Sequence, residues 1–234
     1  MGSGHRPFIV AIDGPAGAGK SSASRLLAAR LGFAMVDTGA IYRAVALAAS
    51  RRGIAFDDDA ALGALLAGLD VTFAPAAEGG QRVLLGGEDV SEAIRTPPMS
   101  LGASAVSARP VVRAGLLDLQ RRLATAAANR GAVLEGRDIG TVVFPDADAK
   151  FFLTASPEER ARRRHAELRA RGAPATFDEV LADQLRRDRD DSSRAVAPLR
   201  PAADALLVDT SGVPLAAVVE RLAAEVERRM AGRR

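Results

Sequence analysis

Cysteine is absent from all 234 residues, which excludes disulfides, thiolate nucleophiles and cysteine metal ligands. Tryptophan is absent too, tyrosine occurs once and aromatics make up only 4%, so a core must be assembled from Ala, Leu, Val and Ile. Lysine is nearly missing: Lys20 and Lys150 stand against 30 arginines. No apolar stretch approaches the roughly 20 residues of a membrane span. Met1 to Pro7 is short and polar, without the apolar region of an export signal. His5 and His165 lack metal-ligand spacing and read as surface residues. The expectation is a cytoplasmic protein with no membrane partner.

Net charge is only +3, and 48% of residues are apolar, an ordinary figure for a globular chain. The arginines could suit a nucleic-acid surface. However, Glu158, Glu159 and Glu167 interleave with the densest arginine run, so no nucleic-acid partner is expected. Guanidinium forks suit phosphate oxygens of any source.

One stretch outweighs the rest. Gly14-Pro15-Ala16-Gly17-Ala18-Gly19-Lys20-Ser21 fits G-x-x-x-x-G-K-[ST] at every fixed position. At this chain's residue frequencies, roughly 0.002 accidental matches are expected for that pattern. Its context is also right: the apolar run Phe8–Ile12 reads as a buried strand, and Ser21–Leu31 has helical spacing. Loop amides and a helix N-terminus offer N–H groups and positive dipole to a polyphosphate. Lys20 is then placed to bridge β- and γ-phosphates, and the Ser21 hydroxyl to ligate Mg2+. Ser22 follows on the same helix start and joins the residues expected to bind ATP.

Further strands are expected at Ala34–Asp37, Ala132–Glu135, Lys150–Leu153 and Ala205–Asp209. Between them, helices are expected at 41–49, 60–69, 99–108, 111–128, 156–171, 176–193 and 214–230. Several carry end signals: the carboxylates Asp57 to Asp59, Ser156-Pro157-Glu158-Glu159, and Thr176 with Glu179 as a capping box. Val71–Phe73 and Arg82–Leu85, around a Gly79-Gly80 turn, read as a small antiparallel insert. Such alternation predicts an α/β fold, a mainly parallel sheet covered by helices on both faces. Ligands in such folds bind beyond the carboxyl ends of strands, where the phosphate loop, Asp37 and Gly136-Arg137-Asp138 all lie.

A phosphate loop leaves the reaction open. A regulatory GTPase would need Asn-Lys-x-Asp to read guanine, and neither lysine sits in that setting. Asp209 to Gly212 does match Asp-x-x-Gly, but it follows the last strand, too late for a switch. A kinase for another small acceptor, such as UMP, AMP or shikimate, stays open on physics alone.

Three further stretches are more restrictive: residues 37–43 (Asp-Thr-Gly-Ala-Ile-Tyr-Arg), residues 136–145 (Gly-Arg-Asp-Ile-Gly-Thr-Val-Val-Phe-Pro) and residues 187–199, which begin Arg-Asp-Arg-Asp-Asp-Ser-Ser-Arg. With the phosphate loop, they resemble the bacterial cytidylate kinase family, from Ile9 through the final helix. The resemblance implies a single P-loop kinase domain over 1–234, with a monophosphate-binding region at about 39–113 and a helical lid at about 156–175. It implies transfer of the ATP γ-phosphate to CMP or dCMP by a monomer. Arg43, Arg137 and Arg194 match the family's acceptor-phosphate residues, and Thr38 stands where many relatives have Ser. Asp37, which opens this stretch, is counted among the substrate-binding residues, and Tyr42 could pack on the base. Asp138, Arg113 and Ser104 match base-contacting residues, the carboxylate accepting from the cytosine amine. Arg187 and Asp191 match the ribose-holding residues; taken alone they are an i,i+4 pair on a helix. Arg160 and Arg164, one turn apart in the lid, are the candidates for touching the transferred phosphoryl group. Crowded near the positive end of that helix dipole, they lead us to expect a lid that closes on ATP and expels water.

Overall fold

The computed structural model describes residues 6–76, 80–126, 130–170 and 172–233. His5, Gly79, Ala128 and Arg171, named above, lie outside the described residues. The chain divides into two compact units, residues 1–34 with 128–234, and residues 35–127.

Strand β1 (Phe8–Asp13) is buried along its whole length, as its unbroken apolar run requires of a strand covered on both faces. It lies at the centre of a five-stranded sheet, in which β2 is Ala34–Asp37, β6 is Gly131–Gly136, β7 is Ala149–Thr154 and β8 is Leu206–Asp209. The order is β2-β6-β1-β7-β8, and β1 pairs in parallel with both β6 and β7. Strand β8 extends the sheet in parallel beyond β7. This is the expected α/β class.

In the first unit, α1 (Lys20–Leu31) packs on α8 (Leu215–Gly232), and α6 (Pro157–Ala170) packs on α7 (Phe177–Ser193). Helix α1 stops at Gly32, whose left-handed φ of 63° lets its N–H reach the last carbonyls. Helix α7 begins with the expected capping box between Thr176 and Glu179. Ser156 Oγ accepts from Glu159 N–H at 3.2 Å at the head of α6.

In the second unit, α2 (Thr38–Arg51) packs on α4 (Pro97–Ser107), and α3 (Asp59–Ala67) on α5 (Pro110–Ala126). Helix α2 starts three residues before the predicted Ile41, because Asp37 accepts from Ala40 N–H and caps it. Helix α4 likewise starts at Pro97, a residue suited to a first turn that needs no N–H. The antiparallel insert holds three strands: β3 (Val71–Pro75), β4 (Gln81–Leu85) and β5 (Glu88–Asp89). The last was not read from the sequence. It is only two residues long, and it returns through Gly86-Gly87, both at positive φ, in the two-residue turn that favours glycine.

Candidate phosphotransfer site

In the first unit, β1 runs into the phosphate loop and α1 leaves it. Gly14, Gly17 and Gly19 all have positive φ. A Cβ on Gly14 would fall 2.0 Å from the Leu153 carbonyl oxygen, so the loop can turn here only on glycine. Lys20 is buried, and its Nζ donates to the Pro15 carbonyl at 2.7 Å. The Lys20 ammonium, expected to bridge the β- and γ-phosphates, is folded back onto the loop's own carbonyl. Burial, then the Arg137 charge, push its pKa down to about 7, against the pull of Glu135, Asp13 and Asp191.

The Ser21 hydroxyl donates to Glu135 Oε2 at 2.8 Å. Glu135, buried near the end of β6, was read from the sequence only as part of a strand. An acid terminating an apolar run was the available signal. What gave it meaning is the sheet order, which sets Ile12 opposite Glu135.

Arg137 follows β6, and its Nε donates to Asp191 Oδ2 at 2.8 Å. Asp191, buried in the last turn of α7, also pairs with Arg194. Burial pushes the Asp191 carboxyl up, but Arg137 and Arg194 together more than offset this and hold it below its ordinary value. The ion pairs of Asp191 thus go to these two arginines, beyond the Arg187 pairing its spacing allowed. Burial lowers the pKa of Arg187, whose Nε is buried without a hydrogen-bond partner. Asp138 is buried and leads into a π-helical turn, Ile139–Val143.

Four arginines of α6 are already matched with acids. Arg160 is buried, with Nε donating to Ala155 O at 3.0 Å and NH1 to Ala16 O of the phosphate loop at 3.2 Å. Its fork also grips Asp188 of α7 at 3.0 and 2.6 Å. Arg164 pairs with Glu167 at 3.1 Å, and Glu159 pairs with both Arg162 and Arg163. Arg163 further donates to the Thr210 hydroxyl and carbonyl at 3.0 and 2.6 Å. The repulsion expected along this helix is therefore compensated. The Glu159 and Glu167 pairs follow the interleaving visible in the sequence, whereas the Asp188 and Thr210 partners come from distant segments that spacing does not reveal.

In the second unit, Asp37 caps α2 with Oδ1 and takes Arg43 on Oδ2 at 2.9 Å, while the Arg43 Nε is buried without a hydrogen-bond partner. Thr38, the first residue of α2, is buried. The Arg113 guanidinium lies over the Tyr42 ring, 5.7 Å from its centre, and its Nε donates to Ser107 O at 2.7 Å. Ser107 Oγ in turn donates to the carbonyl of half-buried Ser104 at 3.0 Å. The unit thus joins Tyr42 to Arg113 and Asp37 to Arg43.

Among the described residues, no group of three or more His, Asp or Glu could hold a metal by itself, and no helix is long and apolar enough to cross a membrane. A cation would have to share the Ser21 and Glu135 oxygens with a ligand's own oxygens. That hydroxyl–carboxylate pair is the hard-oxygen donor set suited to Mg2+.

The family model described as cytidylate kinase matches residues 10–228. A curated cytidylate kinase of Geobacter sp. (strain M21) is 55% identical over 95% of this chain and 94% of its own. One of Pseudomonas aeruginosa (strain UCBPP-PA14) is 50% identical over 94% of this chain and 95% of its own. A solved structure from Eubacterium ventriosum, titled an uncharacterized protein, matches with a TM-score of 0.50 at 10% identity. It covers 94% of this chain and 98% of that one, a likeness of fold.

Proposed function

The chain belongs to the cytidylate kinase family, and from that premise we propose how its residues move the γ-phosphoryl group of ATP onto CMP or dCMP. The observation that carries this reading is the charged assembly around Lys20, with Ser21 on Glu135 and with Arg137 and Arg194 on Asp191. Phosphoryl transfer needs positioning and charge neutralisation more than covalent catalysis. Loop residues 14–22, through every backbone N–H but the one Pro15 lacks, and Lys20 hold the donor phosphates. Arrival of that negative charge restores the Lys20 ammonium that burial disfavours. Ser21 and Glu135 would hold Mg2+, which when bound would neutralise developing charge on the phosphates.

Arg43, Arg137 and Arg194, with Thr38, are assigned to the acceptor phosphate on their match to the family's motifs. Asp37 orients Arg43 rather than touching substrate, given that both its oxygens are engaged. Asp138 accepts from the cytosine amine, and Arg113 and Ser104 satisfy the base's acceptor edge beside Tyr42. Uracil would leave Asp138 facing a carbonyl oxygen, which is the physical basis of rejection. Arg187 and Asp191 hold the ribose. Arg160 and Arg164 reach the transferred group once α6 closes and excludes water. For Arg160 this means exchanging Asp188 for phosphate. We assign the enzyme as a cytoplasmic monomer acting on free nucleotides, which light scattering after size exclusion can check for the oligomeric state.

The test is an ADP-release assay with ATP and Mg2+, offering CMP, dCMP, UMP, AMP and GMP in parallel. Strong preference for CMP and dCMP supports the base contacts. Activity with another monophosphate keeps the kinase and overturns those contacts. Absence of acceptor-dependent turnover overturns the reading.

A further inference from the structure

The last residue of β1, Asp13, stands outside every role assigned above, yet it is buried with both carboxylate oxygens engaged. Oδ1 accepts from the Ile139 N–H and Oδ2 from the Gly140 N–H, each at 2.8 Å. These are the first two amides of the π-helical turn, and such leading amides have no partner within their own turn. The residue that precedes a turn usually caps it with its side chain. Here that residue is Asp138, and its carboxylate makes no capping bond. Capping comes instead from Asp13, 126 and 127 residues away in sequence.

We propose that Asp13 is a positioning residue for acceptor recognition: by holding the two amides that follow Asp138, it sets where the Asp138 carboxylate stands. The inference rests on the reading of Asp138 as the residue that meets the cytosine amine. The geometry is specific to a carboxylate. Two N–H donors meet two oxygens, and an amide in the same place would present its own N–H2 to one of them. The surroundings allow little play. A Cβ on Gly140 would sit 3.2 Å from Lys150 Cδ and 3.4 Å from Asp13 Oδ2. The Asp138 carbonyl also accepts from Val142 and Val143 N–H at 2.9 and 3.2 Å, so the turn closes behind the residue that Asp13 fixes in front. Gly14 of the phosphate loop follows directly in the chain. One residue therefore starts the donor's loop with its backbone and steadies the acceptor's reader with its side chain.

The experiment uses the full chain and compares Asp13→Asn, Asp138→Ala and the double variant. Readouts are steady-state kinetics with CMP and UMP, ATP binding without acceptor, and thermal melting. We expect Asp13→Asn to raise KM for CMP about tenfold and to lower CMP-over-UMP discrimination similarly. ATP affinity should stay within about threefold. In the Asp138→Ala background, Asp13→Asn should add almost nothing, since the group it positions is gone. Parallel loss of ATP and CMP affinity, or full additivity in the double variant, overturns the positioning role while leaving Asp138 as base reader. Unchanged discrimination in Asp138→Ala overturns the base-reading role itself. Should Asp13→Asn fail to fold, Asp13→Glu decides: it keeps the charge but carries the carboxylate one methylene past the Ile139 and Gly140 amides. It should raise KM for CMP and spare ATP affinity, and no change in KM overturns the proposal.

Discussion

The two units solve the burial of charge in opposite ways. Among the described residues, the first unit buries Asp13, Lys20, Glu135, Asp138, Lys150, Arg160 and Asp191, whereas the second buries only Arg113 as a charged side chain. A parallel sheet covered by helices can hold such groups only if each has partners, because an isolated charge in that setting is very costly. Here Lys20 has the Pro15 carbonyl, Arg160 has Asp188, and Asp191 has two arginines. In the second unit, Arg43 and Asp37 form their pair half in solvent. The difference teaches that the first unit's charges are set by one another before any ligand arrives, whereas those of the second lean on a helix cap and one aromatic ring.

If that contrast is right, the largest effect comes from Lys20→Ala. We expect turnover to fall by about 1,000-fold or more, as for loss of a main charge-stabilising group. Melting should shift little, because removal of a costly buried cation offsets the lost packing. A large drop in melting temperature would mean that the charge is structural.

Next comes a pH effect on stability. Burial, opposed by the Gly140 and Ile139 amides, raises the Asp13 pKa from 3.8 to about 6, with Asp138 adding to the rise and Lys20 opposing it. The folded state binds this proton more tightly than the unfolded state. Its stabilising contribution is complete below pH 3.8 and is lost as pH rises through about 6. Relative to Asp13→Asn, the native protein should therefore lose about 3 kcal/mol between pH 3.5 and 7. Denaturant titrations across that range check this, and parallel curves for the two proteins would contradict it.

Asp138→Ala should follow, lowering kcat/KM for CMP about 100-fold while ATP binding changes less than about threefold. Equal loss of both would assign Asp138 to the donor nucleotide instead of the base. The smallest effect is expected for Arg113→Leu, about tenfold in kcat/KM for CMP with ATP binding intact. It should also cost about 1 kcal/mol of stability from the lost Ser107 bond and ring contact. A loss of ATP affinity there would blur the division between the units.

Much of this was legible because it is local. The phosphate loop, the Thr176–Glu179 box, the Ser156 cap and the Asp58 cap each depend on residues within a few positions of one another. The strand centres were legible because a covered strand must be apolar. What escaped depends on strands and helices meeting across long separations. Glu135 acquires its Ser21 partner 114 residues away, Asp188 meets Arg160 28 residues away, and Thr210 reaches the Ala18 carbonyl from 192. Strand β5 escaped for another reason: two residues are too few to show any alternation.

The Asp191 carboxylate has one consequence for which anions the site admits. Arg137 and Arg194 already share a resident negative charge, so an incoming anion must displace or outbid a carboxylate. A singly charged ion gains little by that exchange. A phosphate monoester with both protons lost brings twice the charge and three oxygens, and it can take both guanidinium forks at once. If Arg137 and Arg194 take the acceptor phosphate as proposed, Asp191 would act as a threshold, disfavouring chloride and stray carboxylates and favouring a dianion.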